Sequence, residues 1–218
     1  INTNPLNPTL FELYRKHNSP SMSALNAWWV SNSLGPYPQL NYSSYPGYGS
    51  QYGANHIQPL NFLNSGYDSL YTSNDPLSAS NQELKNKINA IRGFCDDNFN
   101  KDYSANAGVV NTPEEKELLN QFIRENFENV ANGQIYDPWG LGDVYNGDMY
   151  TMYFAENIIK EFKPELLVVN MQNVDSAHNN TTEYLNNMKR ADYSLHHLWQ
   201  TIQNTPGMAV SYTHLTLP

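Results

Sequence analysis

Apolar positions recur at helical spacing in four stretches of the chain and run consecutively in one. Behind Ser80-Asn81-Gln82-Glu83, a capping box, Leu84, Ile88, Ile91, Cys95 and Phe99 mark one face of an amphipathic helix. Thr112-Pro113-Glu114-Glu115 is a second box with proline at the first helical position, and Leu118, Leu119, Phe122, Ile123 and Phe127 form its stripe. A third helix is predicted from about Asp143 to Phe162, with Met149, Met152, Tyr153, Ile159 and Phe162 facing a core. Asn180-Thr181-Thr182-Glu183 caps a fourth, whose apolar side is Leu185, Met188, Ala191, Leu195, Leu198, Trp199 and Ile202. Pro164 stops the third helix, and Leu166-Leu167-Val168-Val169 behind it is an unbroken apolar run of the kind that parallel sheets bury on both faces.

The amino-terminal part follows the same α/β logic. Asn7 as cap and Pro8 as first helical residue predict a helix through His17, which Ser19-Pro20 ends. Ser23 to Ser31, with Trp28, Trp29 and Val30, predicts a strand, and the twin tryptophans are expected to pack in the core or on the sheet. From Leu34 to about Leu77 the chain is rich in glycine and tyrosine, and no regular structure is expected there. Such a segment is either an insertion packed on its own aromatics or a functional lid, whose aromatics would offer a surface on which a sugar or substrate stacks. A further Gly- and aromatic-containing loop is expected at 133–140. Gly47-Tyr48-Gly49 and Gly53 do not make a dinucleotide fingerprint, because no strand precedes them and no capped helix follows. Internal repeats, a phosphate loop and a nucleophile elbow are absent from the sequence.

Composition narrows the partners. The 218 residues carry 12 Lys plus Arg against 21 Asp plus Glu, a formal net charge of −9, and no basic stripe, which argues against nucleic acid or an anionic membrane as partner. With 39% hydrophobic residues the chain is expected to fold, and it has no apolar run near the ~20 residues of a membrane span. The single Cys95 is expected to be a core thiol, able to form neither an internal disulfide nor a zinc knuckle. Both ends read as cut. The chain opens at Ile1 without an initiator Met, and residues 210–218 back-translate to a sequence resembling a library adapter, so His214 is left out of the functional reading.

Chemistry concentrates just past the apolar run. Asp175 and His178 follow it three residues apart, and in open α/β sheets ligands bind where strands reach their carboxyl ends. A carboxylate oxygen and a neutral imidazole are good ligands for zinc or manganese, so the pair is a candidate half of a metal site; the plain alternative is a turn begun by Asp175. His196 and His197 lie well along the last helix, away from that crevice, and are expected to be solvated or packing residues. His17 and His56 are isolated.

The order helix, strand, long insertion, helices and a strand ending in Asp175-Ser176-Ala177-His178, then a helix carrying Ala191-Asp192-Tyr193, resembles the middle of an alkaline phosphatase superfamily hydrolase. This group includes alkaline phosphatases, sulfatases and phosphodiesterases. Asn7-Pro8-Thr9-Leu10-Phe11-Glu12 resembles the segment that follows the nucleophile in that superfamily. The similarity covers roughly residues 5–33 and 140–209. It implies a three-layer α/β/α sandwich, incomplete at both ends, spanning 1–209 with an insertion at about 34–78. It also implies a two-metal, zinc-dependent hydrolysis of a small-molecule phosphate or sulfate ester, with Asp175 and His178 as ligands to one metal. Many relatives place one more residue between these two ligands. The nucleophilic Ser or Thr is expected upstream of Ile1 and further metal ligands beyond Ala209, so this fragment is expected to be inactive and to bind zinc weakly. Family habit suggests a periplasmic or secreted location. The alternative is a non-catalytic relative using the Tyr-rich insertion to contact a glycan or partner.

Overall fold

A computed structural model of the chain describes residues 6–17, 23–31, 45, 47–48, 52–57, 111–131, 147–171, 173–178 and 180–208. Three strands, β1 (Ala27–Ser31), β2 (Asn55–Ile57) and β3 (Leu166–Asn170), form a parallel sheet in the order β2-β1-β3. Among the described residues four helices accompany them: α1 (Leu10–His17), α2 (Pro113–Ala131), α3 (Gly147–Phe162) and α4 (Thr181–Asn204). The mixed α/β character expected from the sequence is therefore present. The helix expected behind Ser80, with Cys95 on it, and the loop at 133–140 lie outside the described residues, as do His214 and the side chains of Ile123, Phe127 and His56.

Register assigns each strand residue to a face. Trp28 stands opposite Leu167 and Val30 opposite Val169, while Trp29 stands opposite Val168. Leu167 and Val169 pack against Met152, Ala155 and Ile159 of α3 and Leu198 and Ile202 of α4. Trp29, Leu166 and Val168 pack on the opposite side with Phe11 of α1, Ala27 and Ala54. Alternation along each strand thus gives both faces of the sheet apolar cover. β3 is only half-buried at all five positions, less than the buried run anticipated from its sequence. Its far edge pairs with no strand among the described residues, which leaves that side chain row partly open.

Local chemistry sets the helix boundaries. Thr9 and Glu12 form the box that opens α1: the Thr9 amide donates to Glu12 Oε2 at 2.7 Å, and the Glu12 amide donates to Thr9 Oγ1 at 3.3 Å. The helix therefore begins two residues after the expected Asn7-Pro8 start, because a reciprocal pair satisfies two amides where Asn7 alone would satisfy one. Glu12 is fully buried, and its second oxygen accepts the Tyr45 amide at 3.0 Å. The second expected box is formed as read, with Thr112 N to Glu115 Oε2 at 2.8 Å and Glu115 N to Thr112 Oγ1 at 3.2 Å. Leu118, expected in the stripe, is exposed, while Leu119 and Phe122 are buried. α3 is described from Gly147, residues 143–146 of the expected helix lying outside the described residues, and it ends where Lys163 takes a left-handed φ of 47° ahead of Pro164. The strand expected from Ser23 begins only at Ala27, since Ser23 first caps a 3-10 turn over Ala24–Asn26 by accepting the Leu25 amide at 3.2 Å.

α4 departs most from the expected pattern. Its Asn180 cap is in place, accepting the Glu183 amide at 3.0 Å. Leu198 and Ile202 are buried as expected, but Leu185, Met188 and Trp199 are 54%, 39% and 41% exposed. Asn187 in the first half and Ser194 just past the middle are buried instead. That face meets the loop after β3, which offers backbone polar groups, and Asn187 can satisfy them where a leucine could not.

Within the Tyr-rich segment the described residues include β2, a short strand where none was expected. Tyr45, Tyr48 and Tyr52 meet edge to face at 5.3 and 6.1 Å, and Lys16 Nζ sits 3.7 Å from the Tyr48 ring centre. Arg15, buried in α1, donates from Nη1 to the Gly53 carbonyl at 2.5 Å, and burial pushes its pKa down to about 10. The described residues of this segment are packed on one another and on α1. At the other end of the segment Asn55 and Asn111 exchange amide hydrogen bonds of 3.2 and 3.0 Å, both side chains buried, tying β2 to the start of α2.

Tyr153 of α3 gives the fold an alkaline limit. Burial raises its pKa above the ordinary 10.0, with hydrogen bonds to Asn129 and Asn157 opposing the rise. The folded chain then keeps the phenol proton to higher pH than the unfolded chain, so this contribution is complete below pH 10 and is lost as pH climbs through the raised value. The urea midpoint is expected to fall between pH ~9 and ~11, and to fall less in Tyr153→Phe. Equal falls in both proteins would remove Tyr153 as the cause.

Candidate functional site

The strand order places a switch point between β1 and β3: the chain passes from β1 to β2 on one side, then returns to β3 on the other. Crevices at such points, outside the carboxyl ends of parallel strands, are where open α/β sheets bind ligands. Here β1 ends at Ser31 and β3 at Asn170, and Asn170 Nδ2 donates to Ser31 Oγ at 3.0 Å. Ser31 is fully buried beneath that contact.

Immediately past β3 the chain turns, and a 3-10 turn over Asp175–Ala177 follows, capped by His178. Ala177 is buried and anchors the turn, its amide donating to the Val174 carbonyl at 3.3 Å and its carbonyl accepting the Asn180 amide at 3.1 Å. Asp175 and His178 are both exposed. The two expected ligands therefore stand at the carboxyl end of the sheet, on one short turn, open to solvent. Among the described residues no group of three or more His, Cys, Asp or Glu side chains is assembled as a metal cage. Asp192, on the helix that the family resemblance sets beside the site, is exposed.

What fixes this turn is a clamp on Asn173. Its amide donates to both oxygens of Asp148, at 3.3 and 3.2 Å, and its carbonyl accepts from Asn187 Nδ2 at 2.6 Å. Asp148 lies in the first turn of α3 and Asn187 on the inner face of α4, and both are buried. Arg190 Nη1 donates to Asn187 Oδ1 at 3.2 Å, orienting the amide toward Asn173. Two helices thus hold the peptide two residues before Asp175. Sequence reasoning missed Asp148, Asn187 and Arg190. Asp148 reads as an ordinary acid at a helix start, and Asn187 falls between the apolar positions that were taken to face the core.

Among the described residues, the side chains of His17, His196 and His197 lie elsewhere. His197 Nδ1 meets Glu156 Oε1 at 2.5 Å, pairing α4 with a buried carboxylate of α3, which is a packing role. His196 Nε2 is 3.0 Å from Gln200 Nε2 on the exposed side of α4, and His17 Nε2 is 3.3 Å from the Tyr48 hydroxyl. No helix among the described residues is long and apolar enough to cross a membrane. Comparison of the chain with protein-family models, with curated proteins and with solved structures found no match.

Proposed function

We propose that the chain is part of a metal-dependent hydrolase of phosphate or sulfate esters, built as the three-layer α/β/α sandwich of the alkaline phosphatase superfamily, with Asp175 and His178 as ligands to one divalent metal, zinc by preference. The observation that carries this reading is the placement of both side chains, solvent-accessible, on one turn at the carboxyl end of a parallel strand beside the switch point. Helices against both faces of the sheet and the family-like phrases around Thr9 and Asp175 support it. When bound, the metals of such a site supply charge stabilisation of the attacking and leaving oxygens. The chain's own part is to present one carboxylate and one imidazole from a turn locked at Asn173, and to keep Ser31 and Asn170 closed on each other below it. The attacking Ser or Thr hydroxyl is expected in sequence preceding Ile1. The non-catalytic alternative draws no support from Tyr45, Tyr48 and Tyr52, which pack on one another and under Lys16.

Zinc titration of the chain, followed by calorimetry, is expected to show weak binding that Asp175→Ala and His178→Ala each reduce about tenfold or more. In a longer gene product that includes the flanking sequence, both substitutions are expected to abolish aryl phosphate, phosphodiester or aryl sulfate hydrolysis and to lower metal content. Unchanged activity and metal content in both variants would remove the assignment.

A further inference from the structure

We propose that the cleft between the carboxyl-terminal ends of α3 and α4 binds a small tetrahedral oxyanion, inorganic phosphate being its simplest form, through Lys160 and Lys163. The cleft has a volume of about 480 Å³, within the range of small-ligand sites, and is lined by both lysines together with His197, Asn204 and neighbouring residues of the α4 end. It lies at the opposite end of the sheet from Asp175 and His178. α3 enters the start of β3 through Lys163–Glu165, whereas the turn with Asp175 follows the end of β3. His197 sits sixteen residues along α4 from Thr181, about 24 Å at the helical rise.

Three observations single out this cleft. Lys163 holds φ 47°, a conformation that glycine adopts at far lower cost, at the position after a helix where glycine is the usual residue. A lysine kept in a strained backbone state is an outlier that points to a task for its side chain. Neither lysine is held by a carboxylate among the described residues, although the chain carries a net charge of −9. The buried acid Glu156, one turn before Lys160 on α3, is engaged by His197 Nδ1 between the two helices. The end of α4 is partly neutralised as well: Thr205 Oγ1 donates to the Thr201 carbonyl at 2.7 Å and the Thr205 amide to the Ile202 carbonyl at 3.3 Å.

A lysine near a helix carboxyl end also interacts favourably with the helix dipole, and the two roles predict opposite results. Titration of the full chain with inorganic phosphate at low ionic strength, read by calorimetry, is expected to saturate at one site. Lys163→Gly and Lys160→Gln are each expected to weaken it about tenfold, while Lys163→Arg retains it. Lys163→Gly is expected to melt at the same temperature or about 1–4 °C higher, because the strain is removed. Lys160 is exposed, so its variant keeps the test sound should the other fail to fold. Asp175→Ala and His178→Ala are expected to leave phosphate binding unchanged, which separates this site from the hydrolytic one. A Lys163→Gly protein that melts lower and binds phosphate as before, or phosphate binding that survives both lysine substitutions, or no saturable binding at all, would overturn the proposal.

Discussion

Replacing Trp28 with alanine is expected to cost about 3–5 kcal/mol and to leave little of the chain folded at 37 °C. Trp28 is fully buried at the middle of the central strand. Its ring stacks on Phe162 of α3 at 5.1 Å and 21°, and lies tilted against Phe122 of α2 at 6.3 Å. Those two rings in turn meet at 5.0 Å, so one side chain joins the sheet to two helices. Its indole nitrogen donates to the Leu25 carbonyl at 2.6 Å, and truncation would strand that acceptor as well, adding about 1 kcal/mol or more. Trp28→Phe is expected to recover over half of the loss, since it refills most of the cavity without restoring the hydrogen bond. Urea denaturation of the three proteins checks the ranking. A Trp28→Ala midpoint near that of the wild type would mean that the aromatic cluster is not the centre of the core.

Asp148→Ala is expected to cost about 2 kcal/mol and, unlike Trp28→Phe, to weaken zinc binding at the turn about tenfold. The carboxylate is buried and accepts the Asn173 amide with both oxygens, so its removal leaves a half-buried donor without that partner. It also removes an anion from the first turn of α3, where the helix dipole favours one. With one jaw of the Asn173 clamp gone, the peptide is held less tightly, and the exposed turn beyond it gains freedom that ligation must then remove. Asp148→Asn keeps one acceptor oxygen and is expected to fall between. Melting curves measure the first effect and zinc titration the second. Zinc affinity unchanged in a folded Asp148→Ala protein would show that the turn does not depend on the clamp.

Elements whose signal is local were legible in the sequence. Thr112 and Glu115 satisfy each other's amides whatever the tertiary context, and Asn180 caps α4 in the same way. The start of α1 was misplaced because two local signals overlap there, and Asn7-Pro8 hid the stronger Thr9–Glu12 box. The apolar side of α4 was misjudged for a different reason. Leu185, Met188 and Trp199 keep helical spacing, but burial depends on what the partner surface offers, and the loop after β3 offers polar backbone. The same holds at the site. Asp175 and His178 could be singled out because they follow an apolar strand, whereas Asp148 and Asn187 act through a contact that spacing along the chain does not encode.

The contact between Asn170 and Ser31 spans 139 residues. On the ribosome, at roughly 5–20 residues per second, β1 is made on the order of ten to thirty seconds before β3 exists to pair with it. β2 arrives early, but Phe122 and Phe162, which cover Trp28, are also late. The nascent chain therefore carries an adjacent pair of tryptophans on a strand with an unpaired edge until β3 has been made. Pairing of β1 on both edges therefore waits for β3, the last of the three described strands to be made.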